Sequence, residues 1–180
     1  MTTETAQCFT EIHPDLLYIQ ITAWATVCMV IATIGMIVWQ IKSQKNANKI
    51  ELSMRLMDQY DSMQMRENRK SLALILQQGE VPSAIIMETV VDVLETLAVL
   101  HHRKLVDDDL IENGFSVPIR YWWCALKDDI TKMRNEFHDV TIYEEFQLLA
   151  SKYSAIELAH HRDPAISQPD LSKFLMSELA

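Results

Sequence analysis

Residues 16–41 read LLYIQITAWATVCMVIATIGMIVWQI, a run without one charged side chain. Its most apolar part, 19–39, is 21 residues long, about 31 Å as a helix rising about 1.5 Å per residue, which matches one bilayer core. The run predicts a transmembrane helix at 16–41 behind a short extracytoplasmic N-terminus at 1–15. A cleaved signal peptide would begin with basic residues, carry a shorter apolar core and end at a small-x-small site, and none of these is present. The flanks give an orientation. Only the acids Glu4, Glu11 and Asp15 precede the run, whereas Lys42, Lys45, Lys49 and Arg55 follow it. The positive-inside rule then places the N-terminus outside and the C-terminal domain in the cytoplasm. Tyr18, Trp24 and Trp39 are the interfacial aromatics expected of such a span.

Outside this run the chain is that of a folded helical domain. Its 180 residues are 49% hydrophobic and 23% charged, with only 3 Gly and 5 Pro. A β-sandwich or barrel needs many tight turns, so the shortage of breakers predicts an all-α protein, the single span being followed by a cytoplasmic bundle of five or six helices. With 16 basic and 25 acidic residues the net charge is −9, which excludes nucleic acid as the expected partner, because phosphate binding needs surplus Lys and Arg. The basic residues concentrate after the span: 42–70 holds seven against four acids, whereas 71–180 holds nine against eighteen. Cys8, Cys28 and Cys124 have neither metal-ligand spacing nor a disulfide framework.

Two features of the span bear on partners. Ala25, Cys28, Ala32 and Gly35 recur at steps of three, four and three, lining one helical face with small side chains, the kind of face on which two membrane helices pair. A homodimer through this face is therefore the expected self-association. Lys42, Lys45, Lys49 and Arg55 are the expected contacts to anionic headgroups, each contributing on the order of 1 kcal/mol near the surface. They begin a basic stalk at 42–60, where Ile50, Met54, Met57 and Tyr60 predict a face docking on the domain; Met54, Met57, Met63 and Met65 read as core filling.

The remaining helices follow from periodicity and caps. Residues 64–78 end at Gly79, a left-handed C-cap, and Ser83 N-caps a helix running to about Lys104, with Ile86, Val90, Val93, Leu94, Leu97 and Leu100 inward and Ile85, Val91 and Val99 adding further burial. Asp107, Asp108 and Asp109 cap a short helix ended by Asn113-Gly114, and Ser116 with Pro118 opens another carrying Ile119, Trp123, Leu126, Ile130, Met133 and Phe137 inward. Thr141 with Glu144 forms a capping box for a helix with Ile142, Phe146, Leu149, Tyr153 and Ile156 inward. The domain thus extends over 42–161. A Pro-containing tail at 162–180 carries Leu171, Phe174, Leu175 and Leu179 on a short amphipathic helix, expected to pack on the bundle rather than in a partner's groove.

Several constellations invite a catalytic reading, and each has a plainer one. Glu157 and His160 form a single Glu-x-x-His, whereas di-iron bundles need two copies and further Glu ligands. The plainer reading puts His160 at the end of the inward stripe, capping carbonyls. The pairs His101-His102 and His160-His161 end helices, where the dipole favours a cation, and Glu88, Asp92 and Glu95 are expected to pair with Arg66, Arg69 or Arg134. His138-Asp139, with His101 or His102 and Asp163, nominally matches an HD-type phosphohydrolase, but the dyad falls at a helix end. Arg134 and His138 are one residue too close for a HEPN-type ribonuclease, and an EF-hand's alternating ligands are missing around Asp107. No metal, cofactor or catalytic residue is expected.

The segments 66–76, 93–98, 107–110, 119–122 and 143–146 together resemble a family of uncharacterised bacterial proteins with one N-terminal membrane helix and a cytoplasmic helical domain. The likeness covers most of 40–153. It implies a single-pass protein of the bacterial inner membrane and brings no catalytic residue. The expected function is a membrane-anchored interaction or scaffold module whose partners are the lipid bilayer and an unidentified protein. The alternatives are an oligomerising membrane effector, for example in bacterial defence, and a metal-dependent hydrolase.

Overall fold

A computed structural model of the chain describes residues 14–160 and 163–179, with side chains from residue 21 onward. Glu4, Cys8, Glu11, His161 and Arg162, and the side chains of Asp15 and Tyr18, lie outside the described residues. Among those described there are six α-helices and no strand: α1 (Pro14–Tyr60), α2 (Met63–Gln77), α3 (Ala84–His102), α4 (Asp108–Phe137), α5 (Glu144–Ala159) and α6 (Gln168–Glu178). Two compact units divide within α1, between Lys45 and Asn46.

In the first unit α1 is long and apolar enough to cross a membrane. Every side chain from 21 to 45 is exposed, including Ile31 at 64% and Trp24 at 71%. Two of its hydroxyls are satisfied within the helix, since Thr26 and Thr33 donate to the Thr22 and Met29 carbonyls, each at 2.8 Å.

The second unit is a bundle in which α3 packs on α2 and α5, α4 on α5, and α6 on α2 and α4. Its centre consists of Val90, Val91, Leu94, Leu97, Ile111, Ile119, Trp122, Leu126, Ile130 and Phe146, all at most 1% exposed. The α3 stripe forms as its spacing predicts, except that Ile85 is 77% exposed. Phe146, Leu149 and Tyr153 of α5 point inward. Gly79 adopts φ +71° after α2, and Asp107 N-caps α4 by accepting from the Leu110 N–H at 3.0 Å. Ser83 occupies the N-cap of α3 with no side-chain bond.

Other local expectations are corrected. Asn113-Gly114 ends no helix: α4 is one helix of 30 residues that runs through Gly114 and Pro118. Gly114 serves packing, because a Cβ there would overlap the Met57 side chain of α1. The inward face of α1 in this unit consists of Leu52, Ser53, Leu56, Met57 and Tyr60, while Ile50 and Met54 are 45% and 55% exposed. Ser53 is buried because its hydroxyl joins the Lys49 carbonyl to the Asp107 N–H, each at 2.9 Å. Of the four methionines only Met65 is fully buried, and Met63 is 79% exposed. On α4 it is Trp122 that is buried, with Trp123 partly so and Phe137 66% exposed. Thr141 makes no capping box: Tyr143, at φ 56°, is the N-cap of α5, and Thr141 instead donates through its N–H and hydroxyl to Asp139 at 2.8 and 2.7 Å.

Candidate functional site

The small-residue face Ala25, Cys28, Ala32 and Gly35 lies exposed on α1 in the first unit, and a Cβ added at Gly35 would meet nothing within 4 Å. A helix with such a face can approach another helix closely. The four basic residues divide between the units. Lys42 and Lys45 are exposed in the first, whereas in the second Lys49 is half-buried and Arg55 holds Glu51 one turn back at 2.7 Å. Arg55 is thus partly neutralised within its own helix.

Several of the titratable residues singled out as metal or catalytic candidates join elements of the bundle, while His138, Asp139 and Asp163 make local bonds. Among the described residues no group of three or more His, Cys, Asp or Glu side chains is placed to hold a metal ion. Asp92 and Glu95 of the α3 carboxylate stripe bond to the start of α5, and of the arginines expected beside the stripe Arg134 acts on Glu95 through its charge. Asp92 accepts from the Tyr143 hydroxyl at 3.0 Å, and Glu95 accepts from the Phe146 N–H at 2.7 Å. Burial raises the Glu95 pKa, opposed by that hydrogen bond. Glu95 thereby caps the first turn of α5, in place of the missing capping box.

At the other end of α3, His102 contacts Glu145 at 2.7 Å, and His101 Nε2 lies 2.9 Å from Lys152 Nζ and 3.3 Å from Asp108. Burial and then the Lys152 charge lower the His101 pKa, which favours a neutral imidazole accepting from the ammonium. His138 ends α4 in the left-handed region, with its ring 2.7 Å from the Asn135 carbonyl. The Thr141 hydrogen bonds hold Asp139 below the usual carboxylate range. Arg134 donates to the Ile142 carbonyl and to Gln147, at 2.8 and 2.7 Å. His160 C-caps α5 with its backbone N–H but is exposed, not part of the core stripe, and Glu157 faces Arg120 at 3.6 Å.

The tail docks as expected. Leu175 of α6 is buried, and Leu171, Phe174 and Leu179 pack against the core. What the sequence did not single out is how the tail is held. Arg69 and Arg120 are the buried cations among the described residues, and each binds the tail. Arg69 Nε donates to Glu178 at 2.8 Å, and its guanidinium lies 3.9 Å over the Tyr60 ring and donates to the Tyr60 carbonyl. Arg120 donates to the Pro164 carbonyl at 3.1 Å. The signal was there to read: Arg69 interrupts an apolar stripe, four residues after Met65 and three before Leu72, so a charge had to be buried on that face.

A family described as Domain of unknown function (DUF4760) matches residues 23–153, more than half of the chain. No curated protein and no solved structure matches it.

Proposed function

The chain belongs to the DUF4760 domain family, and from that premise we propose that it is a single-pass protein of the bacterial inner membrane, its N-terminus outside, acting through its cytoplasmic bundle as a non-catalytic interaction or scaffold module. One observation carries the reading. The apolar length of α1 between 21 and 41 is exposed throughout, while the bundle buries its own core without it. Such a surface in water would be an aggregation hazard, whereas in a bilayer it is solvated. Lys42 and Lys45 then meet anionic headgroups. The non-catalytic reading is supported by the positions of Glu95, Asp92, His102 and Arg134, each engaged in joining helices. Proximity crosslinking with mass spectrometry in the native host, with a span-deleted control, tests the reading. Enrichment of a different protein that depends on the helical domain is expected; enrichment of nothing beyond background contradicts it.

A second reading, the oligomerising membrane effector, is favoured by the exposed face of Ala25, Cys28, Ala32 and Gly35. It requires growth arrest and dye leakage on overexpression, both abolished by Ala32→Leu with Gly35→Leu. Unchanged leakage in that double variant rules it out.

A further inference from the structure

Within the bundle, α6 sits on α2 and α4 in a cleft whose floor and end walls are chemically distinct. The floor is aromatic: the Phe174 ring lies tilted 4.9 Å from Tyr121 and edge-to-face 5.4 Å from Trp122, and Trp122 donates its indole N–H to the Tyr60 hydroxyl at 3.1 Å. One end is charged with both signs, since Asp61 and Glu67 share it with three cations and Arg66 lies 4.0 Å from Asp61, so the cation left for the tail is the buried Arg69. Arg66, Arg69 and Lys70 of α2 line a cavity of about 410 Å³ around Ser177 and Glu178, the last turn of α6. Arg69 there complements both the Glu178 carboxylate and the negative end of the α6 dipole. The Arg69–Glu178 pair is nearly dry, with side-chain exposures of 9% and 12%. A buried pair of this kind contributes little net stability, but it discriminates strongly, because any occupant lacking the carboxylate leaves a cation buried and unmatched.

Three observations set α6 apart from the other helices of the bundle. It has 11 residues and buries only Leu175, whereas α3 buries seven of its 19. Along its side an open volume of about 750 Å³ separates Leu171 and Leu175 from Leu76 and Cys124, with Gln77, Lys127 and Asp128 also on its wall. The family match ends at residue 153, so Tyr60, Arg69, Arg120 and Trp122 fall within the family domain and α6 lies beyond it.

We infer that the cleft between α2 and α4 is the binding site for an amphipathic helix of a partner protein, one carrying an aromatic-aliphatic pair and a carboxylate in its last turn, and that α6 occupies this site as an intramolecular competitor. The inference deepens the interaction-module reading by naming the surface and the partner's chemistry, and it rests on that reading for its biological role. Because the tail is tethered, its effective concentration at the cleft is on the order of millimolar, so a free helix competes poorly until the tail is released.

The test uses the full chain in detergent micelles and a fluorescent synthetic peptide of residues 163–179 as probe. A variant with Phe174→Asp and Leu175→Asp is expected to retain its helicity and cooperative melting while binding the peptide at least tenfold more tightly than the parent chain. In that background Arg69→Glu should weaken binding at least fivefold, and a peptide carrying Glu178→Lys should recover it. Amide exchange on the parent chain provides a reading that needs no variant: α6 should open at least tenfold more readily than α3. The inference is overturned if α6 and α3 exchange together, or if the tail variant either loses its fold or fails to bind the peptide. A concentration-dependent dimer of the parent chain, held by exchanged tails, would replace the foreign partner with a second copy and overturn the inference as stated. Peptide binding and amide exchange read the cleft alone, so a failure to find a cellular partner leaves them standing and falls on the interaction-module reading instead.

Discussion

The apolar run of α1 and the core helix α3 are both rich in Ile, Val and Ala, and those side chains meet opposite fates. Ile31 and Ile34 are 64% and 56% exposed on α1, while Val90, Val91 and Leu94 of α3 are fully covered. The difference lies in what surrounds each helix. α3 interleaves apolar positions with Glu88, Asp92 and Glu95, which tie it to α5 or face solvent, whereas α1 has no charge from 16 to 41 and so no polar side to turn outward. A helix apolar all round must be covered on all sides, and every side chain of α1 from 21 to 41 is exposed. A bilayer supplies that cover.

The comparison predicts effects of decreasing size. The largest belongs to α1: Ile31→Asp with Ile34→Asp places two carboxylates mid-span at about 2.5–3.5 kcal/mol each, and should move the protein from the carbonate-resistant membrane pellet to the soluble or aggregated fraction. In the bundle, Leu94→Ala should lower unfolding free energy by about 2–5 kcal/mol in denaturant titration. The matched change Ile34→Ala should leave bundle stability within about 0.5 kcal/mol, because no bundle contact is lost. If the two alanine variants destabilise the bundle equally, the division between the regions is wrong. Next is Gly114→Leu, which drives a side chain into Met57 and should cost about 1–3 kcal/mol, with partial recovery in a Met57→Ala background.

The smallest effect is a pH dependence. The folded-state pKa of His101 lies below its ordinary 6.5, so the unfolded chain binds more protons as pH falls through that value. Its contribution is complete above pH 6.5 and is lost progressively below it, down to the folded-state value. A fall in Tm between pH 7 and pH 5.5 should therefore flatten in His101→Gln. An identical slope in parent and variant would assign the dependence to other groups.

Much of the bundle was legible because its core stripes are repeated and its stops are chemical: Gly79 supplies a positive φ and Asp107 an acceptor at a helix start. Illegible features came from residues that satisfy two rules at once. Asn113-Gly114 has the composition of a helix end, yet the glycine lets α1 and α4 approach, a tertiary reason that outranks local propensity. Thr141 and Glu144 have the spacing of a capping box, but Asp139 offers Thr141 a nearer acceptor and Glu95 caps α5 from another helix. Ile50 and Met54 lost their inward places to Ser53, whose hydroxyl bridges two backbones, a role that apolar counting does not register. As for the candidate site, the tail's amphipathic stripe and the burial of Arg69 were readable, but the partners of Arg69 and Arg120 were not, since they lie 109 and 44 residues away.

Anchoring is tested most directly by cysteine accessibility in intact cells. With Cys28 and Cys124 replaced by Ser, a membrane-impermeant maleimide should label Cys8 without permeabilisation. In a chain without native cysteines, Lys173→Cys should react only after permeabilisation. Labelling of Lys173→Cys in intact cells, or a Cys8 reached only after they are opened, would contradict the proposed topology.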